Sequence, residues 1–284
     1  KTGCDLRFKA ENFQLTGSFK MRGAASKMTA LEPGQKLITA SSGNHGIASS
    51  RAASLTGQDL TVVLPETVAR AKLEKIQSFG VEIILHGAES GIAETHAQSL
   101  AAGGEFTYVS PYNDHDVIAG QGTIGLELLE QVDHVDNIFI SMGGGGLISG
   151  IGSVLKSFGQ GTRVIGVSAE NSAALAASMK AGKVVETRHL DTLADGVAGG
   201  VDADSITLPL AMDVIDQVVH CSEVDIAAAL KQLATGENML VEGAAALALA
   251  GFTQISDQLR GQTSVVLLCG ANFDWAKVGP LINS

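Results

Sequence analysis

The alternation that decides the fold begins with Lys36-Leu-Ile-Thr-Ala-Ser-Ser-Gly-Asn-His-Gly46. Its first five residues form a short apolar run with β-branched side chains, which predicts a strand over 36–40. The alanine-rich stretch over 46–57 predicts a helix. The polar turn between them therefore lies where a strand ends and a helix begins.

The same alternation continues along the rest of the chain. Strands are predicted at 60–64, 81–85, 106–109, 137–141, 163–168, 217–220 and 264–268, and helices at 69–79, 90–102, 117–131, 147–158, 171–181, 223–235 and 242–252. Repeated strand–helix units are typical of parallel sheets covered by helices. We therefore predict an α/β fold of two lobes, each with a mainly parallel sheet: a small domain over 36–113 and a large domain of 1–35 plus 114–284.

Composition excludes several classes of protein. The chain has 284 residues, 45% hydrophobic and 17% charged, so it is not a disordered protein. Its net charge of −11 argues against nucleic acid or an anionic membrane as a partner. The three cysteines are widely spaced, which argues against a disulfide framework and favours the cytoplasm. No apolar run is long enough to predict a membrane span.

Four segments carry candidate chemistry, and the last three of them adjoin predicted strands or helices. They are Ser18-Phe-Lys-Met-Arg-Gly-Ala24, Ser41-Ser-Gly-Asn-His-Gly46, Gly143-Gly-Gly-Gly-Leu147 and Cys269-Gly-Ala-Asn272. Lys20 lies among small and apolar residues, and desolvation favours a nucleophilic amine over a charged one. The second segment begins a helix, where backbone N–H groups attract an anion such as a carboxylate. An ordinary helix cap is the alternative for that turn.

The third segment has four consecutive glycines, whose N–H groups can converge on a phosphate, although a tight turn is the alternative. Cys269 could offer a weak donor to a ligand or be a small buried residue. A lysine, a carboxylate site, a phosphate site and a lone donor are together what pyridoxal 5′-phosphate (PLP) chemistry requires. We therefore predict PLP as the cofactor.

At these residues the chain resembles the threonine/serine dehydratase and serine racemase family of PLP fold type II, whose fold is like that of the tryptophan synthase β-subunit. The match extends from about Phe8 to Asp274 and also includes Ile118-Ala-Gly-Gln-Gly-Thr123 and Leu193-Ala-Asp-Gly196. Family members usually have further residues before the equivalent of Lys9-Ala-Glu-Asn12, so a preceding segment is expected.

The resemblance implies a role for each candidate residue. Lys20 would form the Schiff base and act as the catalytic base, with Ser42 as the second catalytic residue. The other cofactor-binding residues would be Asn44, Gly143, Gly144, Gly145, Gly146, Leu147, Glu242 and Cys269. The substrate carboxylate would be held by Ser41, Ser42, Asn44 and His45. The family also makes homodimers and homotetramers, so a homo-oligomer is expected.

The implied reaction is dehydration and deamination of a β-hydroxy amino acid, such as L-threonine or L-serine, to a 2-oxo acid and ammonia. Racemisation of serine and dehydration of 3-hydroxyaspartate or a hydroxyectoine-type product are alternatives. Serine racemases of the family carry a divalent-metal site, but Ala176 stands where its second carboxylate is expected, so no metal is predicted. Tyr112 also resembles a dehydratase more than a racemase, whereas Ser42 keeps racemisation open.

A different class of enzyme is suggested by Gly120-Gln-Gly-Thr-Ile-Gly125, which fits the G-x-G-x-x-G pattern of dinucleotide-binding proteins. About ten residues separate it from the preceding predicted strand, whereas the motif requires a tight strand-to-helix turn. A dinucleotide-dependent oxidoreductase is therefore the remote alternative. A non-catalytic ligand-binding homologue is a third, against which the lysine at position 20 argues.

Overall fold

The computed structural model describes residues 3–159 and 161–283. It divides the chain into two compact units. The larger unit consists of Lys1–Phe13 and Gln121–Ser284, and the smaller unit is Gln14–Gly120. The strands, in chain order, are β1 (Asp5–Ala10), β2 (Lys36–Ala40), β3 (Asp59–Leu64), β4 (Glu82–Leu85), β5 (Thr107–Tyr108), β6 (Asn137–Ser141), β7 (Arg163–Ala169), β8 (Gln217–Cys221) and β9 (Thr263–Leu268).

The α-helices are α1 (Lys20–Ala30), α2 (Asn44–Thr56), α3 (Arg70–Gln77), α4 (Ser90–Ala102), α5 (His115–Gln131), α6 (Gly146–Phe158), α7 (Ala174–Ala181), α8 (Thr207–Val214), α9 (Glu223–Gly236), α10 (Gly243–Ile255) and α11 (Trp275–Asn283). Short 3₁₀ turns lie at Glu11–Phe13, Asp195–Val197 and Ser256–Leu259. The helices in the described part of the chain include none that is both long and apolar enough to cross a membrane.

The smaller unit contains a four-stranded sheet in the order β4-β3-β2-β5, and every pair of neighbours is parallel. Because parallel strands point the same way, the segments that follow β2 and β5 leave the same edge of this sheet. These segments are the polar turn before α2 and the loop over 109–114. The fold therefore brings two candidate segments of the smaller unit to one edge.

The larger unit contains a five-stranded parallel sheet in the order β1-β9-β6-β7-β8. Helix α10 is buried over ten consecutive residues, and Phe252 on this helix packs edge-on against Phe139 of β6, with ring centroids 5.4 Å apart. The neighbours β6 and β9 end next to the tetraglycine loop and to Cys269. The predicted α/β class and the parallel sheets in both lobes are confirmed.

The division into units differs from the predicted boundaries at residues 114–120, which belong to the smaller unit, and in the assignment of residues 14–35. These residues belong to the smaller unit, because Met21, Ala24 and Met28 of α1 are buried in one cluster with Leu37 of β2 and Ile47 of α2. The sequence pattern gave α1 no strand-like or helix-like signal, so its partner could not be predicted.

Candidate functional site

Lys20 is the first residue of α1 and is partly buried. Its amine Nζ donates a hydrogen bond of 2.6 Å to the carbonyl oxygen of Pro111 and lies 5.2 Å from the centre of the Phe19 ring. Both contacts restrain the ammonium group of Lys20, since the carbonyl accepts a hydrogen bond from it and the aromatic ring attracts its positive charge. The side chain is therefore held in a defined position.

The loop that carries Pro111 is fixed at both ends within the smaller unit. At its start, the Val109 carbonyl accepts hydrogen bonds from Thr39 Oγ1 at 2.8 Å and from His45 Nε2 at 3.0 Å. At its end, Asp114 forms an ion pair of 2.7 Å with Lys27, which lies on α1 two turns after Lys20. These contacts fix the position of the Pro111 carbonyl relative to α1, the helix that carries Lys20.

Lys27 is held in this position by ion pairs with two carboxylates, Asp114 and Asp116. Burial lowers the pKa of Lys27, but its hydrogen bonds to Asp114 and Asp116 outweigh that effect and raise the pKa above its usual value. The ion pair with Asp114 is mostly shielded from solvent, with both side chains at or below 15% exposure. Lys27 therefore stays charged throughout the physiological pH range.

The turn before α2 has the geometry of an anion site. Its backbone passes so close to the first turn of the helix that a Cβ on Gly46 would lie 1.7 Å from the Ser41 carbonyl oxygen. Within the described chain no side chain caps this helix, and the N-cap is Gly43. The first-turn N–H groups of a helix have no partner inside the helix, so they can bind a carboxylate. Ser41, Ser42 and Asn44 are half-buried around this end.

His45 has a different position from the one its predicted role requires. The ring is buried, and Nε2 must carry its proton because the Val109 carbonyl can only accept. Burial and the Lys20 charge lower the pKa of His45 to about 3, so the ring is neutral and Nδ1 is an acceptor. An acceptor cannot bind a carboxylate. His45 can contribute to anion binding only through its backbone N–H.

The tetraglycine loop in the larger unit connects β6 to α6. Gly145 has φ +89°, which favours glycine, and a Cβ there would lie 3.0 Å from Leu175 and from Thr207. A Cβ on Gly143 would lie 3.0 Å from the Cα of Val197. The loop is therefore tightly packed on one side at Gly143 and Gly145, and it leads directly into the N-terminus of α6. Such a loop fits a phosphate group.

Glu242 and Cys269 lie together in the larger unit. Glu242 is buried at the start of α10, and Cys269 is buried directly after β9. The thiol donates a long hydrogen bond of 3.8 Å to Glu242 Oε1, while Oε2 accepts one of 3.1 Å from the backbone N–H of Asn272. A Cβ on Gly270 would lie 2.5 Å from Glu242 Oε1, so glycine is needed for this contact.

The predicted site residues thus form one group in each unit. The smaller unit holds Lys20, Ser41, Ser42, Asn44 and His45, and the larger unit holds Gly143, Gly144, Gly145, Gly146, Leu147, Glu242 and Cys269. Sequence reasoning missed two further residues, Pro111 and Thr207. Pro111 follows a predicted strand, which was an available signal, whereas Thr207 lies in a stretch that showed no pattern.

The glycines of the G-x-G-x-x-G segment lie inside helix α5 and not in a strand-to-helix turn. Their role is helix packing: a Cβ on Gly122 would lie 3.1 Å from the Gly150 carbonyl, and one on Gly125 would lie 3.0 Å from Val154. Residues 150 and 154 belong to α6. Close approach of two helices explains these glycines without a dinucleotide.

The chain matches a known enzyme family over most of its length. The sequence profile of the pyridoxal-phosphate dependent enzyme family matches residues 1–270. The chain belongs to this family. The predicted family and cofactor are confirmed, and the dinucleotide-dependent alternative is wrong. Across residues 3–159 and 161–283, no cluster of three His, Cys, Asp or Glu side chains could hold a metal ion.

The chain is similar to dehydratases and to a racemase. It is 38% identical over 284 residues to a catabolic L-threonine dehydratase of Staphylococcus aureus strain N315, covering 98% of this chain and 82% of the relative. Its structure superimposes with a TM-score of 0.95 on the processed form of threonine deaminase isoform 2 from Solanum lycopersicum, at 31% identity, covering 99% of this chain and 79% of that one. Serine racemase from Dictyostelium discoideum gives a TM-score of 0.88 at 31% identity, covering 96% and 89%.

Proposed function

We propose that the chain is a PLP-dependent ammonia-lyase that converts a β-hydroxy amino acid, such as L-threonine or L-serine, to a 2-oxo acid and ammonia. The observation that carries this proposal is the similarity to a threonine dehydratase over nearly the whole chain. The position of Lys20 supports it, because an elimination needs an amine that can both hold the cofactor and move a proton.

The two groups of residues divide the binding tasks. In the larger unit, the tetraglycine loop would hold the phosphate of PLP, and Glu242 and Cys269 would contact its ring. In the smaller unit, Asn44 would contact the cofactor, and Ser41, Ser42, Asn44 and the backbone N–H of His45 would bind the substrate carboxylate. The absence of a capping side chain at α2, within the described residues, leaves that helix end available for an anion.

Lys20 performs the proton transfers. PLP, when bound, accepts the electron pair that is left at Cα when a proton is removed. The Lys20 amine takes that proton from Cα, and the resulting ammonium donates to the Pro111 carbonyl, 2.6 Å away. Lys20 then returns a proton to the departing β-hydroxyl, which leaves as water. One water is lost and one is taken up as the product hydrolyses, so the net change is loss of ammonia.

Serine racemase is the second candidate function, because Ser42 lies on the carboxylate-binding turn and could return a proton to the opposite face of Cα. Assays of ammonia and 2-oxo acid with L-threonine, L-serine and threo-3-hydroxyaspartate, combined with chiral chromatography, separate the two candidates. We expect pyruvate to exceed D-serine when L-serine is the substrate, with EDTA changing the rate little. Excess D-serine, or loss of activity with EDTA, would replace the lyase by a racemase.

We also propose that the protein is a homo-oligomer, a dimer or tetramer, in the cytoplasm. None of its three cysteines forms a disulfide, and Cys221 is a poor nucleophile because burial, Asp225 and Glu170 raise the pKa of its thiol to about 12. A reducing compartment suits such a chain. Size-exclusion chromatography with light scattering tests the oligomer, and a monomer at micromolar concentration would contradict it.

A further inference from the structure

Two buried hydroxyl groups at the start of α8 form a chain of hydrogen bonds that ends on the tetraglycine loop. Thr207, the first residue of α8, is fully buried, and its Oγ1 donates a hydrogen bond of 2.6 Å to the Gly144 carbonyl. Ser205 Oγ lies 2.7 Å from Thr207 Oγ1. The Gly144 carbonyl is therefore turned toward Thr207.

The direction of each proton in this pair can be derived. A hydroxyl has one proton to donate, and a carbonyl oxygen can only accept a hydrogen bond. Thr207 Oγ1 therefore uses its proton to donate to the Gly144 carbonyl oxygen. Thr207 Oγ1 must then accept from Ser205, whose own oxygen accepts the Thr207 backbone N–H at 3.2 Å. The two hydroxyl groups thus donate in one direction, from Ser205 to Thr207 and from Thr207 to the Gly144 carbonyl.

A fixed carbonyl also fixes the next N–H. The Gly144 carbonyl and the Gly145 N–H belong to one planar trans peptide, in which the two groups point in opposite directions. Because Thr207 holds the carbonyl, the Gly145 N–H points away from Thr207. Ser149 Oγ, in the second turn of α6, donates to the Thr207 carbonyl at 3.4 Å and ties α8 to the helix that follows the loop.

We propose that Thr207 is a positioning residue for cofactor binding: its hydroxyl orients the Gly144–Gly145 peptide so that the Gly145 N–H donates to the phosphate of PLP. This proposal rests on the assignment of the tetraglycine loop as the phosphate site. Without the hydroxyl, the peptide can rotate, and both the carbonyl and the N–H lose their direction. Thr207 acts only through the loop and touches neither the substrate nor the reacting atoms.

The test compares Thr207→Val, which removes the hydroxyl but keeps the shape, with Thr207→Ser, which keeps the hydroxyl. Full-length protein freed of cofactor is titrated with PLP and, separately, with pyridoxal, which lacks the phosphate. We expect Thr207→Val to raise the Kd for PLP about tenfold, the size of one strong hydrogen bond, with the Kd for pyridoxal changing less than about twofold. Thr207→Ser should restore the wild-type Kd for PLP.

The outcomes separate this proposal from the one on which it rests. If wild-type protein binds PLP and pyridoxal equally, the loop is not a phosphate site. If the wild type prefers PLP and Thr207→Val keeps the same preference, or weakens both ligands equally, only the positioning role of Thr207 is refuted. Should Thr207→Val not fold, Ser205→Ala serves instead. It removes the donor to Thr207 and should raise the Kd for PLP about threefold without changing that for pyridoxal; an unchanged ratio would overturn the proposal.

Discussion

Lowering the pH from 8 to 5 should destabilise the cofactor-free protein by about 2 kcal/mol through His45 alone. In the native state, burial and the Lys20 charge lower the pKa of this residue to about 3, against 6.5 for an exposed histidine. At a pH between these two pKa values, His45 therefore binds a proton in the unfolded chain but not in the native chain. Protonation favours the unfolded state, so stability is complete above pH 6.5 and is lost as the pH falls toward 3.

The magnitude follows from the ratio of protonated to neutral histidine in the unfolded chain. At pH 5 this ratio is about 30, which corresponds to about 2 kcal/mol in favour of unfolding; at pH 8 the contribution is close to zero. Cofactor-free protein is used because the binding of PLP would add its own pH dependence.

Urea unfolding followed by circular dichroism at pH 8, 6.5 and 5 measures the effect. The control is His45→Gln, whose amide can donate to the Val109 carbonyl as Nε2 does but does not titrate. Other groups titrate equally in both proteins, so only the difference between their pH slopes counts. Equal losses of unfolding free energy in the two proteins would refute the assignment of a buried, neutral His45.

Two further predictions concern the cofactor. Lys20→Ala should lower ammonia release by several orders of magnitude, because it removes both the cofactor attachment and the base, and borohydride reduction of the wild type followed by peptide mapping should label Lys20; a label on another lysine would contradict this. Gly145→Ala should weaken PLP binding, since φ +89° costs alanine about 1 kcal/mol and its Cβ would lie 3.0 Å from Leu175 and Thr207. The control is Gly182→Ala, where φ is +68° but the added Cβ would have no atom within 4 Å. It should lower stability without changing the Kd for PLP. Equal effects of both variants on that Kd would count against a phosphate-binding loop.

The elements that the sequence predicted well are buried parallel strands. Residues 36–40 and 137–141 form β2 and β6 at the predicted bounds, and both strands are mostly or wholly buried. A short apolar run followed by a glycine-rich turn is sufficient signal for such a strand, because hydrophobic burial decides its place in the sheet. The candidate turns could be found for the same reason, since they directly follow these strands.

Two missed elements depend on distant partners. Strand β1 contains Asp5, Arg7 and Lys9, and it forms because it pairs with β9 at the edge of the sheet. Helix α1 contains Gly23, whose Cα would lie 2.6 Å from a Cβ on Gly120, so its composition reflects a close approach to α5 and not helix propensity. The Thr207 contact with Gly144 joins residues 63 positions apart and had no local signal.

The loop over 109–114 has a consequence for changing substrate preference by directed evolution. Tyr112 and Asn113 bond to Ser110 Oγ through their backbone N–H groups, at 3.4 and 2.9 Å, and substitution of their side chains does not remove these bonds. The ends of the loop are held by Val109 and Asp114. A library that randomises positions 112 and 113 should therefore vary side chains next to Pro111 while the carbonyl that receives the Lys20 amine stays in place, whereas variation at Ser110 or Asp114 would disturb the catalytic lysine itself.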